Sequence, residues 1–315
     1  MAKLVFMGSP AFAVPSLKAL HEAGHEIVAV FSQPPRPAGR GQKLQKTAVH
    51  EAAEELGLAV FTPEKLKGAD LEFVMGLDAE IFCVVAYGLL LPKLMVDNRI
   101  CLNVHPSALP KWRGAAPLQW TLMAGDTTTD ICVMRLDAGM DTGPVVLREA
   151  LRVPTDWTFG LLQEKTAEAG AWMLAKVVND ITGGASAEGT PQTGEATHAP
   201  KITGEMRAID WKRCATEVHN LVRGLSPSPA ATATLGEEVF KVLKTEVNAL
   251  WIYKRMGEPG EIIGIDNTGI VVACGVGAVK IVEMQRPGGK AGMAGEIGRG
   301  WIGLRSGATL TVTLA

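Results

Sequence analysis

Short apolar runs alternate with amphipathic segments along the first 182 residues. Near-continuous apolar character predicts six strands that are buried on both faces, as in a parallel sheet: residues 3–8, 26–32, 58–62, 80–86, 100–104 and 131–136. Helical spacing separates these runs at about 13–23, 47–56, 68–76 and 115–124, and a strand at 144–153 and a long helix at 158–182 follow. This alternation predicts an α/β fold with a Rossmann-type, mostly parallel sheet.

The pattern changes after residue 182. Residues 183–205 are small, polar and rich in Gly, Thr and Pro, which predicts a linker rather than packed structure. An amphipathic helix is expected at about 213–224, followed by short strand-like runs separated by turns. Such runs predict a small C-terminal β-barrel that is OB-like. The expected domains are therefore 1–182 and 206–315, joined by the linker 183–205.

Composition predicts the size of the core, the state of the cysteines and the cellular compartment. The chain has 315 residues, 47% of them hydrophobic, which is enough for two packed domains. Its five cysteines are far apart and form no C-x-x-C pair, so reduced thiols are expected rather than disulfides or a metal site. No export signal and no apolar run of membrane-spanning length are present. A soluble, cytoplasmic protein is expected.

The net charge of −2 argues against a general nucleic-acid binder. The charge is uneven, however. Residues 1–194 carry 17 basic and 21 acidic side chains, whereas residues 206–315 carry 13 basic and 10 acidic ones. The C-terminal excess of positive charge permits contact with a polyanion without requiring it.

The first strand is followed by Gly8-Ser9-Pro10, where a dinucleotide-binding fold would show G-x-G-x-x-G. Pro10 and Ala13 replace the second and third glycines, and no phosphate-binding loop of the G-x-x-x-x-G-K type occurs. The absence of these motifs argues against a dehydrogenase. The sheet is expected to serve another ligand.

Polar residues cluster in NVHPSALPKWRG, residues 103–114, directly after a buried strand. Asn103, His105 and Ser107 alternate, so their side chains would share one face at the end of that strand. Open α/β sheets keep their chemistry at such ends, although Asn, Ser and Pro are also ordinary turn residues. The other five histidines lie in surface-like surroundings or the predicted linker, which leaves His105 as the candidate catalytic imidazole.

A catalytic histidine usually has an orienting carboxylate. The run LDAGMDTGPVV offers Asp137 and Asp141, and Asp141 is favoured because it lies in the loop beyond the strand, where it is free to reach His105. Asn103, His105 and Asp141 include no serine or cysteine nucleophile. They suit direct attack of an external amine on a carbonyl group, with Asn103 and an imidazolium stabilising the oxyanion and Asp141 orienting His105 and helping to relay the proton.

The segment 32–46 is basic and contains no acidic residue. Its glycines and prolines argue against helix or strand, and its charge alone predicts a solvated loop. Beside a catalytic strand end, the same loop would be suited to a phosphate backbone. Its basic residues are Arg36, Arg40, Lys43 and Lys46.

Taken together, these motifs resemble the methionyl-tRNA formyltransferase family over nearly the whole chain. The pieces that match in order and spacing are VFSQPPRPAGRG, VVAYGLLLPK, NVHPSALP, PKWRGAAPLQW, AGMDTGP, HAPKITGEMRAIDW, RGLSPSP and QRPGGKAGMAGE. The resemblance implies a formyltransferase fold whose catalytic asparagine, histidine and aspartate correspond to Asn103, His105 and Asp141.

The resemblance also implies substrates. A formyl group would pass from 10-formyltetrahydrofolate to the amino group of methionine on initiator tRNA, with no metal and with a monomeric enzyme. The folate would lie against the AYG stretch and the catalytic loop, that is, against Ala86, Tyr87, Gly88, Ser107, Leu109 and Pro110. Arg36, Arg40, Lys43 and Lys46 would contact the tRNA, and Arg40 matches an arginine that wedges into its acceptor end. The C-terminal barrel would hold the tRNA from its other side.

Three positions depart from the family pattern: Pro106, where proline removes a backbone donor, Trp120 in place of a basic residue, and Ser228 in place of an aromatic one. Three alternatives also remain. A sugar N-formyltransferase would share the chemistry but not the basic loop, and a formyltetrahydrofolate hydrolase would carry a different second domain. A non-catalytic RNA-binding module would tolerate replacement of Asn103.

Overall fold

The structure is a computed structural model that describes residues 1–38 and 41–313. Its contacts divide the chain into two compact units. The first comprises Met1–Gly114, Thr128–Leu151 and Gln163–His198, and the second comprises Ala115–Thr127, Arg152–Leu162 and Ala199–Ala315. The sequence predicted domains in consecutive blocks, whereas the contacts assign two segments of the N-terminal half to the second unit.

A seven-stranded sheet forms the centre of the first unit. Its strands are β1 (Lys3–Gly8), β2 (Glu26–Phe31), β5 (Val60–Phe61), β6 (Ile81–Val85), β7 (Ile100–His105), β8 (Thr128–Arg135) and β9 (Val145–Arg152), and a separate pair is formed by β3 (Arg36–Ala38) and β4 (Lys43–Gln45). The sheet order is β5-β2-β1-β6-β7-β8-β9. The β2–β5, β1–β2, β1–β6 and β6–β7 pairs are parallel and the β7–β8 pair is antiparallel, so the predicted mostly parallel sheet is confirmed.

The described residues between 1 and 182 contain six α-helices: α1 (Val14–Glu22), α2 (Ala48–Glu55), α3 (Ala69–Met75), α4 (Lys93–Asn98), α5 (Pro117–Met123) and α6 (Phe159–Thr182). Only α4 was not expected from the sequence. Helix α6 packs closely on β7, since a Cβ atom at Gly170 would come within 2.6 Å of Val104 Cγ1. This close approach supports the strand that carries Asn103 and His105.

The basic segment 32–46 contains a hairpin, which corrects the prediction that it has neither helix nor strand. Arg36 pairs with Gln45 and Pro37 with Leu44 in the antiparallel β3–β4 ribbon. Both strands of an isolated ribbon are edge strands, and an edge tolerates a proline because its missing N–H need not pair with a neighbour. The composition was therefore no obstacle to strand formation here.

Residues 183–198 are mostly exposed, as their polar composition predicts, but some of them form backbone hydrogen bonds with the first unit. Thr190 and Val145 exchange two backbone hydrogen bonds of 2.8 Å each. Further along, Arg113 and His198 form a parallel bridge within the same unit. A polar composition indicated exposure correctly, but it carried no information about these backbone contacts.

The second unit contains an antiparallel sheet and two further helices. The strands are β10 (Ala231–Leu235), β11 (Glu238–Val247), β12 (Ile262–Asp266), β13 (Gly269–Ala273), β14 (Ala278–Gln285) and β15 (Ala291–Met293), and the helices are α7 (Ala215–Leu225) and α8 (Ala294–Arg299). The sheet order is β10-β11-β14-β13-β12, with β15 also on β14. The prediction of a separate C-terminal β-domain is confirmed, and its sheet is antiparallel.

The last described residues join the two edges of this sheet. Thr311 exchanges backbone hydrogen bonds with Thr234 of β10, and Leu310 donates to Gly260 just before β12. The sheet is thereby closed by the final strand-like run. Inside it, Val218 and Val222 of α7 share a buried cluster with Phe240.

Trp120, one of the departures from the family pattern, has a structural contact of its own. Its indole Nε1 donates a hydrogen bond of 2.8 Å to the Pro200 carbonyl, within the second unit. An aromatic residue at this position therefore holds residue 200 against α5.

Candidate active site

Asn103 and His105 lie at the carboxyl end of β7, in the middle of the sheet. Asn103 pairs with Val84 of the parallel strand β6, and His105 pairs with Cys132 of β8. The His105 residue is 4% exposed, whereas Asn103 is half-buried. The two residues are separated by one position, so both side chains leave the strand on the same face.

Both ring nitrogens of His105 face protein oxygen atoms. Nε2 lies 3.0 Å from the Trp112 carbonyl, and Nδ1 lies 3.7 Å from Asp141 Oδ2. A carbonyl oxygen only accepts, so Nε2 carries a proton. Nδ1 faces the carboxylate across a distance longer than a hydrogen bond.

Of the two candidate aspartates, Asp141 lies beside His105 and Asp137 makes other contacts. Asp141 Oδ2 accepts the Gly114 N–H at 2.8 Å, which fixes one carboxylate oxygen. Asp137 Oδ1 instead accepts from the Gly139 N–H at 3.0 Å and from the Thr142 hydroxyl at 2.7 Å. Asp137 therefore stabilises the turn that presents Asp141. Asn103, His105, Trp112, Gly114 and Asp141 are called the His105 cluster below.

Backbone strain is concentrated around this cluster. Three non-glycine residues at the strand ends have left-handed backbone angles: Ala86 (φ 47°), Trp112 (φ 62°) and Asp141 (φ 53°). Each such residue costs on the order of 1–3 kcal/mol, which the surrounding contacts must offset. The left-handed turn at Trp112 accompanies the contact between its carbonyl and His105, and the turn at Asp141 accompanies the approach of its carboxylate.

The six residues expected to line a folate differ in exposure. Ala86 and Gly88 are exposed in the turn after β6, the strand beside β7. The Tyr87 side chain is buried, its hydroxyl has no hydrogen-bond partner among the described residues, and burial raises its pKa to about 12. Ser107 and Leu109 are buried as well, and Pro110 is half-buried.

Ser107 and Leu109 also help to shape the loop that follows β7. The Ser107 hydroxyl donates to the Lys111 carbonyl at 2.7 Å, and the Leu109 carbonyl accepts from Arg148 at 2.6 Å. These hydrogen bonds tie the loop to itself and to β9. The Ser107 hydroxyl is thus engaged in a hydrogen bond within the protein.

The basic segment has a different character. Arg36 and Lys43 are exposed on the β3–β4 hairpin, and Arg36 Nη2 donates to Gln33 Oε1 at 3.3 Å. Lys46 forms an ion pair of 2.6 Å with Glu54 of α2, and this contact lowers the pKa of the Glu54 carboxyl. Arg40 lies outside the described residues.

Several groups at the site were not found from the sequence. They are the Trp112 carbonyl, the Gly114 N–H, Gln192 and Thr197. Two of them act through the backbone, whose chemistry is the same in every residue. The other two belong to the segment that was expected to be a linker.

The comparisons with known proteins match both the N-terminal and the C-terminal part of the chain. The family model described as "Formyl transferase" matches residues 2–178, and the one described as "Formyl transferase, C-terminal domain" matches residues 201–300. A methionyl-tRNA formyltransferase of Dinoroseobacter shibae is 44% identical over 301 residues, covering 95% of this chain and 97% of the relative. The chain belongs to the methionyl-tRNA formyltransferase family.

A second formyltransferase of this family, from a Chelativorans species, is 45% identical over 307 residues, which covers 95% of this chain and 96% of the relative. Among solved structures, an N-formyltransferase from Helicobacter canadensis, in complex with folinic acid and dTDP-3-aminofucose, aligns with a TM-score of 0.67. It is 18% identical and covers 89% of this chain and 99% of its own, so this likeness shows the shared fold alone.

Two features are absent from the described residues. No helix there is long and apolar enough to cross a membrane. Nor does any group of three or more His, Cys, Asp or Glu side chains in that part of the chain come together as a metal ion would require.

Proposed function

We propose that this formyltransferase moves a formyl group from 10-formyltetrahydrofolate to the amino group of methionine on initiator tRNA. Membership of the family supports the reaction class. The arrangement of Asn103, His105 and Asp141 at one strand end, with 3.7 Å between Nδ1 and Oδ2, is the observation that carries the mechanism.

The amine nitrogen attacks the formyl carbon, whose carbonyl oxygen takes up negative charge. The Asn103 amide donates a hydrogen bond to this oxygen, and an imidazolium at His105 adds positive charge nearby. Since Nε2 is engaged by Trp112 and Nδ1 faces Asp141, the contribution of His105 is its charge and its exchangeable Nδ1 proton.

The tetrahedral intermediate collapses as the bond to the folate nitrogen breaks. A proton leaves the attacking amine and another reaches the departing nitrogen, so the products are the formylated amine and tetrahydrofolate. Asp141 orients His105 and assists this transfer. The 3.7 Å between Asp141 and Nδ1 is longer than a hydrogen bond, which leaves both groups able to exchange a proton with a bound amine or water.

The folate co-substrate is expected at the turn 86–88. This turn follows β6, whose neighbour β7 carries the two catalytic residues, and Ala86 and Gly88 are exposed there. The buried Tyr87, Ser107 and Leu109 would support the walls, and the half-buried Pro110 would lie at their edge. The complex of the H. canadensis relative with folinic acid is consistent with folate use by this fold.

The tRNA is expected to contact Arg36, Arg40, Lys43 and Lys46. Exposed cations without a rigid setting suit a phosphate backbone, because such contacts depend on charge more than on exact geometry. We further propose that the enzyme acts as a monomer in the cytoplasm. The buried free thiols of Cys83, Cys101, Cys132 and Cys274 are consistent with a reducing compartment.

A formyl-transfer assay tests the proposal. Purified protein would receive 10-formyltetrahydrofolate together with charged initiator Met-tRNA, charged elongator Met-tRNA, an amino sugar or no acceptor. Transfer to the initiator alone is expected. Folate turnover without tRNA would indicate a hydrolase, and transfer to an amino sugar but not to tRNA would indicate a sugar N-formyltransferase.

A further inference from the structure

The segment 190–198 contacts both loops that surround His105. It is anchored at one end by the paired backbone of Thr190 and Val145 and at the other by the Arg113–His198 bridge. Between these anchors, Gln192 and Thr197 point their polar atoms at the loops 109–114 and 137–143. All of these residues belong to the first unit.

The Gln192 side chain joins the two loops. Its Nε2 donates to the carbonyls of Asp141 and Gly143 at 2.9 and 2.8 Å. Its Oε1 accepts from Arg113 Nε at 3.1 Å and from Arg113 Nη2 at 2.7 Å. A primary amide has two donor hydrogens and two acceptor lone pairs, so this side chain uses its full hydrogen-bonding capacity here.

Thr197 contacts the loop 109–114 at Trp112 and Arg113. Its hydroxyl oxygen accepts the Trp112 N–H at 3.0 Å, and its carbonyl accepts the Arg113 N–H at 2.9 Å. Trp112 has the left-handed angle that accompanies the contact of its carbonyl with His105 Nε2. The segment thus supports both strained residues of the His105 cluster, Trp112 through Thr197 and Asp141 through Gln192.

We propose that Gln192 is a positioning residue for formyl transfer, which keeps the Asp141 carboxylate beside His105 Nδ1. It touches neither substrate and acts through the backbone carbonyls of Asp141 and Gly143. The inference rests on the proposed function, because it assumes that His105 and Asp141 act in the reaction. A glutamate of the same shape could pair with Arg113 but could donate to neither carbonyl, so the amide is required.

Gln192→Glu is the sharpest variant, since it keeps the size and the Arg113 contact. We expect kcat for transfer to initiator Met-tRNA to fall roughly 10- to 100-fold, as a displacement of about 1 Å does in other sites, with KM for tRNA and for folate unchanged. Thr193→Ala, at the exposed neighbouring position, serves as the matched control and retains wild-type kcat. An unchanged kcat for Gln192→Glu would overturn the proposal.

A double-mutant cycle distinguishes positioning from general support of the fold. In an Asp141→Ala background, Gln192→Glu should change kcat less than twofold, because the group it positions is gone. The same 10- to 100-fold loss in both backgrounds would contradict the proposal. If Gln192→Glu lowers the thermal midpoint, the comparison moves to Gln192→Met, an uncharged side chain of similar size that also donates to neither carbonyl and should lower kcat to a similar extent. An unchanged kcat for Gln192→Met would also contradict the proposal.

His105→Ala separates this inference from the proposed function. Near-normal turnover in His105→Ala would overturn the proposed mechanism itself. A large loss in His105→Ala together with normal turnover in Gln192→Glu would leave the mechanism in place and overturn only the role of Gln192.

Discussion

The His105 cluster and the basic segment 32–46 are built in opposite ways, although both are expected to contact substrate. In the cluster, each partner of His105 is itself held: Trp112 by Thr197, and Asp141 by Gly114 and Gln192. In the basic segment, Arg36, Lys43 and Lys46 are exposed, and the contacts of Arg36 and Lys46 involve exposed side chains.

The difference follows from what each region must recognise. Charge that develops on one oxygen atom during a reaction is stabilised best by groups fixed in advance. A phosphate backbone offers many equivalent charges, so exposed cations can bind it without a fixed geometry. Four predictions test this contrast, beginning with the largest effect.

Removal of a fixed donor should be the most damaging change. Asn103→Ala and His105→Ala are each expected to lower turnover about 100- to 1000-fold, the usual loss for one oxyanion-stabilising group. Folate binding should stay near wild type for both variants, and thermal stability should stay near wild type for Asn103→Ala, because the Asn103 side chain is half-buried and carries no packing role comparable to that of Val104. Steady-state kinetics and a thermal melt measure both.

His21→Ala, on the exposed face of α1, is the control for this pair and should retain full turnover. A variant at Asn103 or His105 that keeps more than about a tenth of the wild-type rate would be too active for the role assigned to these residues.

Loss of one basic side chain from the segment 32–46 should matter less, and only for tRNA. Arg40→Ala and Lys43→Ala are each expected to lower kcat/KM for tRNA about tenfold, with KM for folate unchanged. The slope of log affinity against log salt should become shallower by about one unit for each lost phosphate contact. If these variants impair the kinetic constants for folate and for tRNA equally, the proposed difference between the basic segment and the His105 cluster is wrong.

Lys18→Ala is the control for these charge deletions, because Lys18 is exposed on α1 and lies outside the basic segment. Its kcat/KM for tRNA should match that of the wild-type enzyme.

The strands around the His105 cluster should also exclude solvent. The buried thiols of Cys101 and Cys132 allow this exclusion to be measured. Burial raises the pKa of Cys101 on β7 to about 12 and that of Cys132, opposite His105, to about 11. Since the folded state opposes ionisation, stability is unaffected below the ordinary thiol pKa and falls as pH rises from about 9 towards these values. Each thiol contributes about 1.4 kcal/mol per pH unit over that range.

Denaturant unfolding at pH 8, 9 and 10 measures this loss, and Cys132→Ala should make the decline less steep. Alkylation of the folded enzyme at pH 8 provides a second readout. The half-buried Cys214 should react before Cys101 or Cys132. Rapid alkylation of either buried thiol would indicate that the His105 cluster opens readily.

The smallest effect is expected for the ion pair of the basic segment. Glu54→Gln releases Lys46 and should increase tRNA affinity less than about threefold, since exposed ion pairs are weak. Glu55→Gln, the exposed neighbour on α2, makes the same change in net charge and controls for it. If the two variants bind tRNA equally, the Lys46–Glu54 pair has no bearing on tRNA binding.

The elements that the sequence predicted well are those whose pattern is local. The run EIFCVVA at 80–86 predicted β6 (Ile81–Val85), and the run ICLNV at 100–104 predicted β7 (Ile100–His105). Both strands are covered on two faces, so nearly every residue in them must be apolar. The short helix α4 was missed, and the β3–β4 hairpin was missed because its proline and glycine composition outweighed any strand signal.

The candidate site divides in the same way. The residue types that can stabilise an oxyanion or relay a proton were recognisable from Asn103, His105 and the Asp141 loop, because side-chain chemistry and position after a strand are written in the chain itself. The family resemblance added the reaction and its substrates.

Only the tertiary structure determined how these groups are held. Gly114 reaches Asp141 across 27 positions, Gln192 reaches Asp141 across 51, and Thr197 reaches Trp112 across 85. Such contacts depend on the path of the backbone between the partners, and no local hydrophobic pattern encodes that path. Local burial and side-chain chemistry therefore pointed to the candidate reacting groups, whereas long-range hydrogen bonding set their distances and brought residues of the predicted linker beside them.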